Sequence, residues 1–295
     1  VREFGLPLEQ WVDLSTGISP WSWPVPEVPQ RVWQSLPYSD ERLEHAAAAY
    51  YGCGAGALLA VPGSQYALQY TPTLLAQGRV AIPLQGYAEH RRAWSTAGHI
   101  IVDYADRSEL QHLVATGAVH HAVVINPNNP TGVTFTVAEL RELHRQLRGT
   151  EGWLIVDEAF ADACPQISMA ALSPMPGLAV YRSLGKYFGL AGIRLGFLLA
   201  PASLCQALQQ LMPPWLLSSP ARWIGAEALS DIHWQNSQRL RLEDAAERWF
   251  QLLQRGIPAM QFTRTALFVS GVADAGFCRL LYTALARRAV LVRLF

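Results

Sequence analysis

The chain has 295 residues, more than a single hydrophobic core usually serves, so two domains, or one large domain with a lobe, are expected. Apolar residues make up 51% and charged ones 16%, which excludes a disordered chain. Formal net charge is zero, so neither nucleic acid nor an anionic membrane surface is expected as a partner, and no apolar run reaches the roughly 18 residues of a membrane helix.

Residues 1–36 hold Pro7, Pro20, Trp21, Trp23, Pro24, Pro26 and Pro29. That density forbids a long helix and predicts an extended arm, and the tryptophans predict that the arm packs on something. A helix is expected from Ser39 to Tyr51, with Ser39-Asp40 as its cap and Gly52 as its stop. Gly63-Ser64-Gln65 follows Val61-Pro62 and opens a helical segment, Tyr66 to Ala76; free backbone N–H groups at such a start can face an anion. Arg79 to Pro83 reads as a strand, followed by Gln85 to His90 and a helix. His90 reads as a helix-surface or supporting residue rather than a catalytic one. Ile100 to Tyr104 is a strand, 106–116 a helix, and Ala122 to Ile125 a strand entered through His120-His121. Adjacent strand residues point to opposite faces, so that histidine pair is not read as a metal site.

Asn126 to Gly132 places two prolines and a glycine at the carboxyl end of that strand, where α/β sheets hold ligands. An amphipathic helix, 136–148, leads to the buried strand Leu154 to Val156, which ends in Asp157. A carboxylate there needs a partner. The strand Val180 to Ser183 then precedes Lys186, which sits among glycines with Ser183 before it and Arg194 after it. Burying a lysine is costly unless its charge is paired or removed, and a Schiff base to an aldehyde removes it. Ser183 and Arg194 could hold an anion beside it. Ile193 to Leu199 is the next strand, so strand and helix signals alternate to about residue 200, the pattern of a mainly parallel sheet covered on both faces. Helical stretches follow, broken at Pro213-Pro214: Ala221 to Leu229 and the long Trp234 to Gln254, whose charged residues read as a solvated face. Residues 257–295 read as strand, helix (Gly276 to Arg288), strand.

Cys53, Cys164, Cys205 and Cys278 lie far apart, which predicts buried free thiols in a cytoplasmic protein rather than a disulfide scaffold or a zinc site. The chain lacks an initiating Met and ends straight after an apolar run, so both ends are expected to be trimmed.

Three stretches in order carry a resemblance: Val123 to Gly132, Trp153 to Phe160, and Ser183 to Arg194. Together they resemble the pyridoxal-phosphate aminotransferases of fold type I, from about Trp11 to the last residue. Within these the chain is similar to the histidinol-phosphate aminotransferase branch and its threonine-phosphate decarboxylases, whose N-terminal segment Asp13 to Pro20 resembles. Phe160 stands where transaminases of the branch usually carry a Tyr that hydrogen-bonds the cofactor's phenolic oxygen.

The resemblance implies an α/β fold of the pyridoxal-phosphate-dependent transferase kind, with a large cofactor domain over 37–233, an N-terminal arm over 1–36 and a small C-terminal α+β domain over 234–295. It implies pyridoxal 5'-phosphate attached at Lys186, with Asp157 on the ring nitrogen, Asn129 on the phenolic oxygen and Tyr87 stacked on the ring. Gly63, Ser64, Gln65, Ser183 and Arg194 would hold the phosphate, and Tyr38 would reach the phosphate site of a second subunit in a homodimer. Arg293 matches an arginine that helps bind the substrate's anionic end, while the family's carboxylate-binding arginine would fall beyond Phe295. The implied reaction is decarboxylation of L-threonine O-3-phosphate to (R)-1-aminopropan-2-yl phosphate in cobalamin synthesis. A histidinol-phosphate-type aminotransferase is the alternative enzyme. A cofactor-binding sensing module is the non-enzymatic one, and these residues offer it no DNA-binding helix-turn-helix.

Overall fold

The apolar runs of the first two hundred residues become the strands of one sheet. A computed structural model describes residues 4–38 and 41–295. The arm carries β1 (Val12–Asp13) and α1 (Gln30–Gln34). Then come α2 (Arg42–Tyr51), β2 (Leu58–Val61), α3 (Ser64–Tyr70), β3 (Arg79–Pro83), α4 (Glu89–Thr96), β4 (Ile100–Tyr104) and α5 (Arg107–Ala115). They are followed by β5 (His121–Ile125), α6 (Val137–Arg148), β6 (Trp153–Asp157), β7 (Leu178–Ser183) and β8 (Gly196–Leu199). The chain closes with α7 (Ala202–Gln210), α8 (Ser219–Ser230), α9 (Ile232–Gly256), β9 (Gln261–Arg264), β10 (Val269–Val272), α10 (Ala275–Ala286) and β11 (Val290–Leu291).

The sheet has seven strands in the order β2-β8-β7-β6-β5-β3-β4. All run parallel except β8, which is antiparallel to both β2 and β7. The Lys186 turn joins β7 to β8 without a covering helix, so the chain returns beside the strand it left. Successive residues of the central strands feed opposite cores. Ala122, Val124, Leu154, Val156, Leu178 and Val180 face one, with Leu43, Leu140 and Leu242 from α2, α6 and α9. Val123, Ile155, Ala179 and Tyr181 face the other, with Leu68, Trp94 and Leu208 from α3, α4 and α7. The sheet is thus covered on both faces, which is why β5 and β6 read as unbroken apolar runs.

Four local expectations are corrected. The helix expected to Ala76 is α only to Tyr70, and Thr71–Leu74, with Pro72 in it, tightens into a 3-10 turn. The strand expected from Ile193 starts at Gly196, because Ala191–Ile193 is a 3-10 turn and Arg194 turns left-handed at φ 51°. The arm includes one helical turn, α1, entered from Pro29. The charges of α9 are not simply solvated: Arg239 Nε donates to Asp162 O at 3.0 Å, and the Arg241 guanidinium lies 3.7 Å from the Trp21 ring centre. The cap expected at Ser39-Asp40 lies outside the described residues.

The arm is pinned at several points. β1 pairs in parallel with β11, Val12 opposite Val290. Trp23, 5% exposed, donates its ring N–H to Asp231 at 3.1 Å, and its backbone N–H bonds Phe188 O at 2.8 Å. Gln238 of α9 donates to Ser19 Oγ and to Trp21 O, both at 2.9 Å.

Candidate active site at the carboxyl ends of the central strands

β6 delivers Asp157 and Glu158 to opposite sides of the sheet. Asp157 is 6% exposed; its Oδ1 accepts from Ala159 N at 3.0 Å, and its Oδ2 lies 2.8 Å from His90 Nε2. With the carboxylate ionised, Nε2 carries the donated proton. His90 is fully buried, so the helix-surface alternative is corrected: from the first turn of α4 it supports the carboxylate. Its ring runs parallel to that of Tyr181, at 8° and 6.3 Å between centres.

Lys186 Nζ donates to Thr16 O at 2.8 Å and stands 5.2 Å from the centre of the Phe160 ring. Ser19 N donates back to Lys186 O at 3.0 Å, so the arm covers the lysine. Burial pushes the amine below the usual lysine range; the Asp157 carboxylate opposes this, and the Arg293 and Arg194 charges add to it. Phe160 packs edge-on against Phe268 of the lobe, 5.2 Å between centres. Gly17 (φ 62°) approaches it so closely that a Cβ there would stand 3.0 Å from Phe160 Cε1 and 3.9 Å from Asn129 Nδ2.

On the neighbouring side, Ser183 Oγ accepts from Gly185 N at 3.2 Å. Arg194 Nη1 donates to Ala191 O at 3.1 Å, and a Cβ on Gly63 (φ 79°) would stand 2.8 Å from Arg194 Nη2. A Cβ on Gly196 would stand 2.4 Å from Ser64 N, so this glycine lets the start of α3 approach β8. Gln65 Oε1 accepts from the Tyr87 hydroxyl at 3.0 Å. Tyr87 is 44% exposed; burial raises its phenol, Glu89 and Asp157 add to that, and Arg293 and Arg194 oppose it.

The structure therefore brings Lys186 to Phe160, Phe160 and Asn129 to Gly17, Tyr87 to Gln65, and Gly63 to Arg194, while Asp157 and Ser183 end β6 and β7 and Arg293 lies two residues past β11. Tyr38 stands apart, 73% exposed, its N–H bonded to Leu36 O at 2.9 Å. Sequence reasoning gave no role to Thr16 or Gly17, and it left His90 without a partner. His120 and His121 separate as the strand alternation requires: His120 Nδ1 accepts from Arg79 N at 3.2 Å, and His121 Nε2 lies 2.9 Å from Ala76 O.

An amine whose basicity burial lowers, a carboxylate held by a buried imidazole, and a guanidinium packed against Gly63 form a donor set suited to a phosphorylated aldehyde with a basic ring. The fold and this set define a fold-type-I pyridoxal-phosphate-dependent enzyme. The family model described as aminotransferase class I and II matches residues 29–293, and the chain belongs to that family. It is 44% identical over 295 residues to a threonine-phosphate decarboxylase of Pseudomonas aeruginosa, covering 100% of this chain and 86% of that one. It is 40% identical over 217 residues to a threonine-phosphate decarboxylase of a Sinorhizobium species, covering 72% of this chain and 64% of that one. Among solved structures, a histidinol-phosphate aminotransferase from Sinorhizobium meliloti in complex with pyridoxal-5'-phosphate superposes with a TM-score of 0.84 at 21% identity, covering 99% of this chain and 84% of that one.

Proposed function

We propose that the protein is a pyridoxal-phosphate-dependent carboxy-lyase that converts L-threonine O-3-phosphate to (R)-1-aminopropan-2-yl phosphate in cobalamin biosynthesis. The observation that carries the reading is the 44% identity over 295 residues to a threonine-phosphate decarboxylase, in a chain whose ring beside Lys186 is Phe160.

Pyridoxal 5'-phosphate, when bound, supplies an aldehyde for an amine to attach to and a protonated ring that takes up the electron pair of a bond broken at the α-carbon. This chain's residues decide what is held and which proton moves. Lys186 is the attachment amine, and its burial favours the neutral, nucleophilic form. Asp157 holds a proton at the ring nitrogen, and His90 holds Asp157 in place. Ser183, Arg194 and the backbone at Gly63-Ser64 would hold the phosphate, Tyr87, anchored by Gln65, would pack against the ring, and Asn129 would donate to the phenolic oxygen. Phe160 has no hydroxyl to offer that oxygen. The Lys186 amine would be the group that gives a proton to the α-carbon that has lost CO2. Arg293 binds the substrate's anionic end, and Thr16 and Gly17 exclude water from the lysine's far side.

The same reading divides the chain into an arm over 1–36, a cofactor domain over 37–233 and a small domain over 234–295. It pairs two copies so that Tyr38 of each reaches the other's phosphate site. Among the described residues no helix is long and apolar enough to cross a membrane. We place the enzyme in the cytoplasm on the strength of its four free cysteines.

The test is incubation of the protein with pyridoxal 5'-phosphate and L-threonine O-3-phosphate, without any keto acid, and measurement of CO2 and the amine product. One CO2 for each aminopropanol phosphate is expected. No CO2, with amino transfer from histidinol phosphate to 2-oxoglutarate, would refute the reading.

A further inference from the structure

On the face of the sheet opposite Asp157, three charged side chains are buried together. Glu158 and Asp162 are 0% exposed and Arg182 is 2% exposed. Arg182 Nη1 donates to Glu158 Oε2 at 2.6 Å, and its Nη2 bonds Asp162 Oδ1. Glu158 also accepts from Met169 N at 2.6 Å and from the Ser168 hydroxyl. The Arg182 guanidinium lies 4.7 Å from the Tyr51 ring centre, and Arg239 caps the group by donating to Asp162 O at 3.0 Å and to the Tyr50 hydroxyl at 3.3 Å.

Each member adjoins a residue of the site. Glu158 follows Asp157. Asp162 lies in the turn just past Phe160, whose Ala161 N bonds Glu158 O at 3.1 Å. Arg182 precedes Ser183, where the Lys186 turn begins. The β6–β7 ladder ends at this level: Asp157 pairs with Tyr181, and the last backbone bond runs from Glu158 N to Tyr181 O at 3.0 Å. Beyond that bond, the guanidinium fork ties the two strand ends together. Apolar replacement of a buried ion triad is often as stable as the triad itself, so stability alone does not account for these charges. A planar fork bonded to two carboxylates fixes angle as well as distance, which an apolar cluster does not.

We propose that Arg182 is a positioning residue for the reaction: by clamping Glu158 and Asp162 it sets Asp157, Phe160 and the Lys186 turn in their working separation. The inference rests on the roles given above to Lys186 and Asp157.

The test is Arg182→Lys in the cofactor-loaded enzyme. It keeps the charge but loses the fork. The expected result is a kcat lowered at least about tenfold, toward the roughly hundredfold that misplacement by an ångström can cost, with KM for L-threonine O-3-phosphate nearly unchanged. The pH midpoint of the bound cofactor's visible absorbance should also move. A variant with a lowered melting temperature but wild-type kcat and absorbance midpoint would overturn the proposal. Should Arg182→Lys fail to fold, the neutral variant Arg182→Met, Glu158→Gln, Asp162→Asn is measured in the same way. Failure of both to fold would also overturn it, by making the triad a stability element. Failure of the functional reading is separate, since there the wild-type protein itself would show no lysine-attached cofactor or no CO2.

Discussion

Gly63→Ala is the perturbation whose outcome the structure fixes most closely. Gly63 sits at φ 79° and ψ 149°, a region that costs a residue with a Cβ roughly 1–3 kcal/mol. The added Cβ would stand 2.8 Å from Arg194 Nη2 and 3.4 Å from its Cζ, so the guanidinium must withdraw. Its Nη1 is tied to Ala191 O, and Arg194 itself turns left-handed at φ 51°, so the side chain moves by tilting its tip away from the glycine. The backbone cost should lower the melting temperature by about 2–12 °C at roughly 2–4 °C per kcal/mol. Losing one charge-assisted hydrogen bond to the cofactor phosphate, about 1.5–3 kcal/mol, should weaken pyridoxal 5'-phosphate binding about ten- to hundredfold. Thermal unfolding of the apo chain and spectrophotometric titration with the cofactor measure the two effects separately. Gly192→Ala, where a Cβ meets nothing within 4 Å, is the control and should change neither. Cofactor affinity within about twofold of wild type in Gly63→Ala, far below the expected loss, would refute the placement of the phosphate between Gly63 and Arg194.

The remaining expectations concern the site and one buried histidine. Lys186→Ala should abolish borohydride-reducible attachment of the cofactor together with CO2 release; a reducible band that survives would place the attachment elsewhere. Asp157→Asn should lower kcat about a hundredfold or more while affinity for the cofactor changes far less, because the carboxylate acts on charge that develops during reaction; small, equal losses in both would count against it. Phe160→Tyr restores a hydroxyl beside Lys186 Nζ, and amino transfer to 2-oxoglutarate, followed by glutamate formation, should then appear; none at all would remove this position from the control of reaction type. His121, 3% exposed, has its imidazole pushed down to about 4 by burial, above all. The unfolded chain takes up that proton near pH 6.5, so stability is full above about 6.5 and falls as pH drops toward 4, by about 2 kcal/mol at pH 5. Urea midpoints at pH 7.5 and 5 for wild type and His121→Gln check this, and an equal acid loss in the variant would exonerate His121.

The strands and the residues at their ends were legible because a sheet buried on both faces spells its strands as apolar runs, and the first polar residue after each run marks the edge where ligands sit. Asp157 after Leu154 to Val156 is the clearest case. The reversed direction of β8 was not legible, since an apolar run carries no sign of its orientation. Partners distant in sequence were also hidden. His90 lies 67 positions from Asp157, and Thr16 lies 170 from Lys186. No periodicity links such pairs, because only the packing of α4 and of the arm brings them together. Arg182 offered a signal that could have been used: a guanidinium inside the buried strand Val180 to Ser183 must find acceptors, and Glu158 and Asp162 were the acidic residues at the end of the neighbouring strand. The arm makes the same point at larger scale. Its prolines and tryptophans said that it was extended and packed, but its function lies in where it ends up: β1 against β11, Trp23 on Asp231, and Thr16 over the lysine. It joins the C-terminal strand to the active-site edge of the sheet, so a change that loosens β1 from β11 reaches Lys186 through Thr16 without touching any residue of the strands that carry the chemistry.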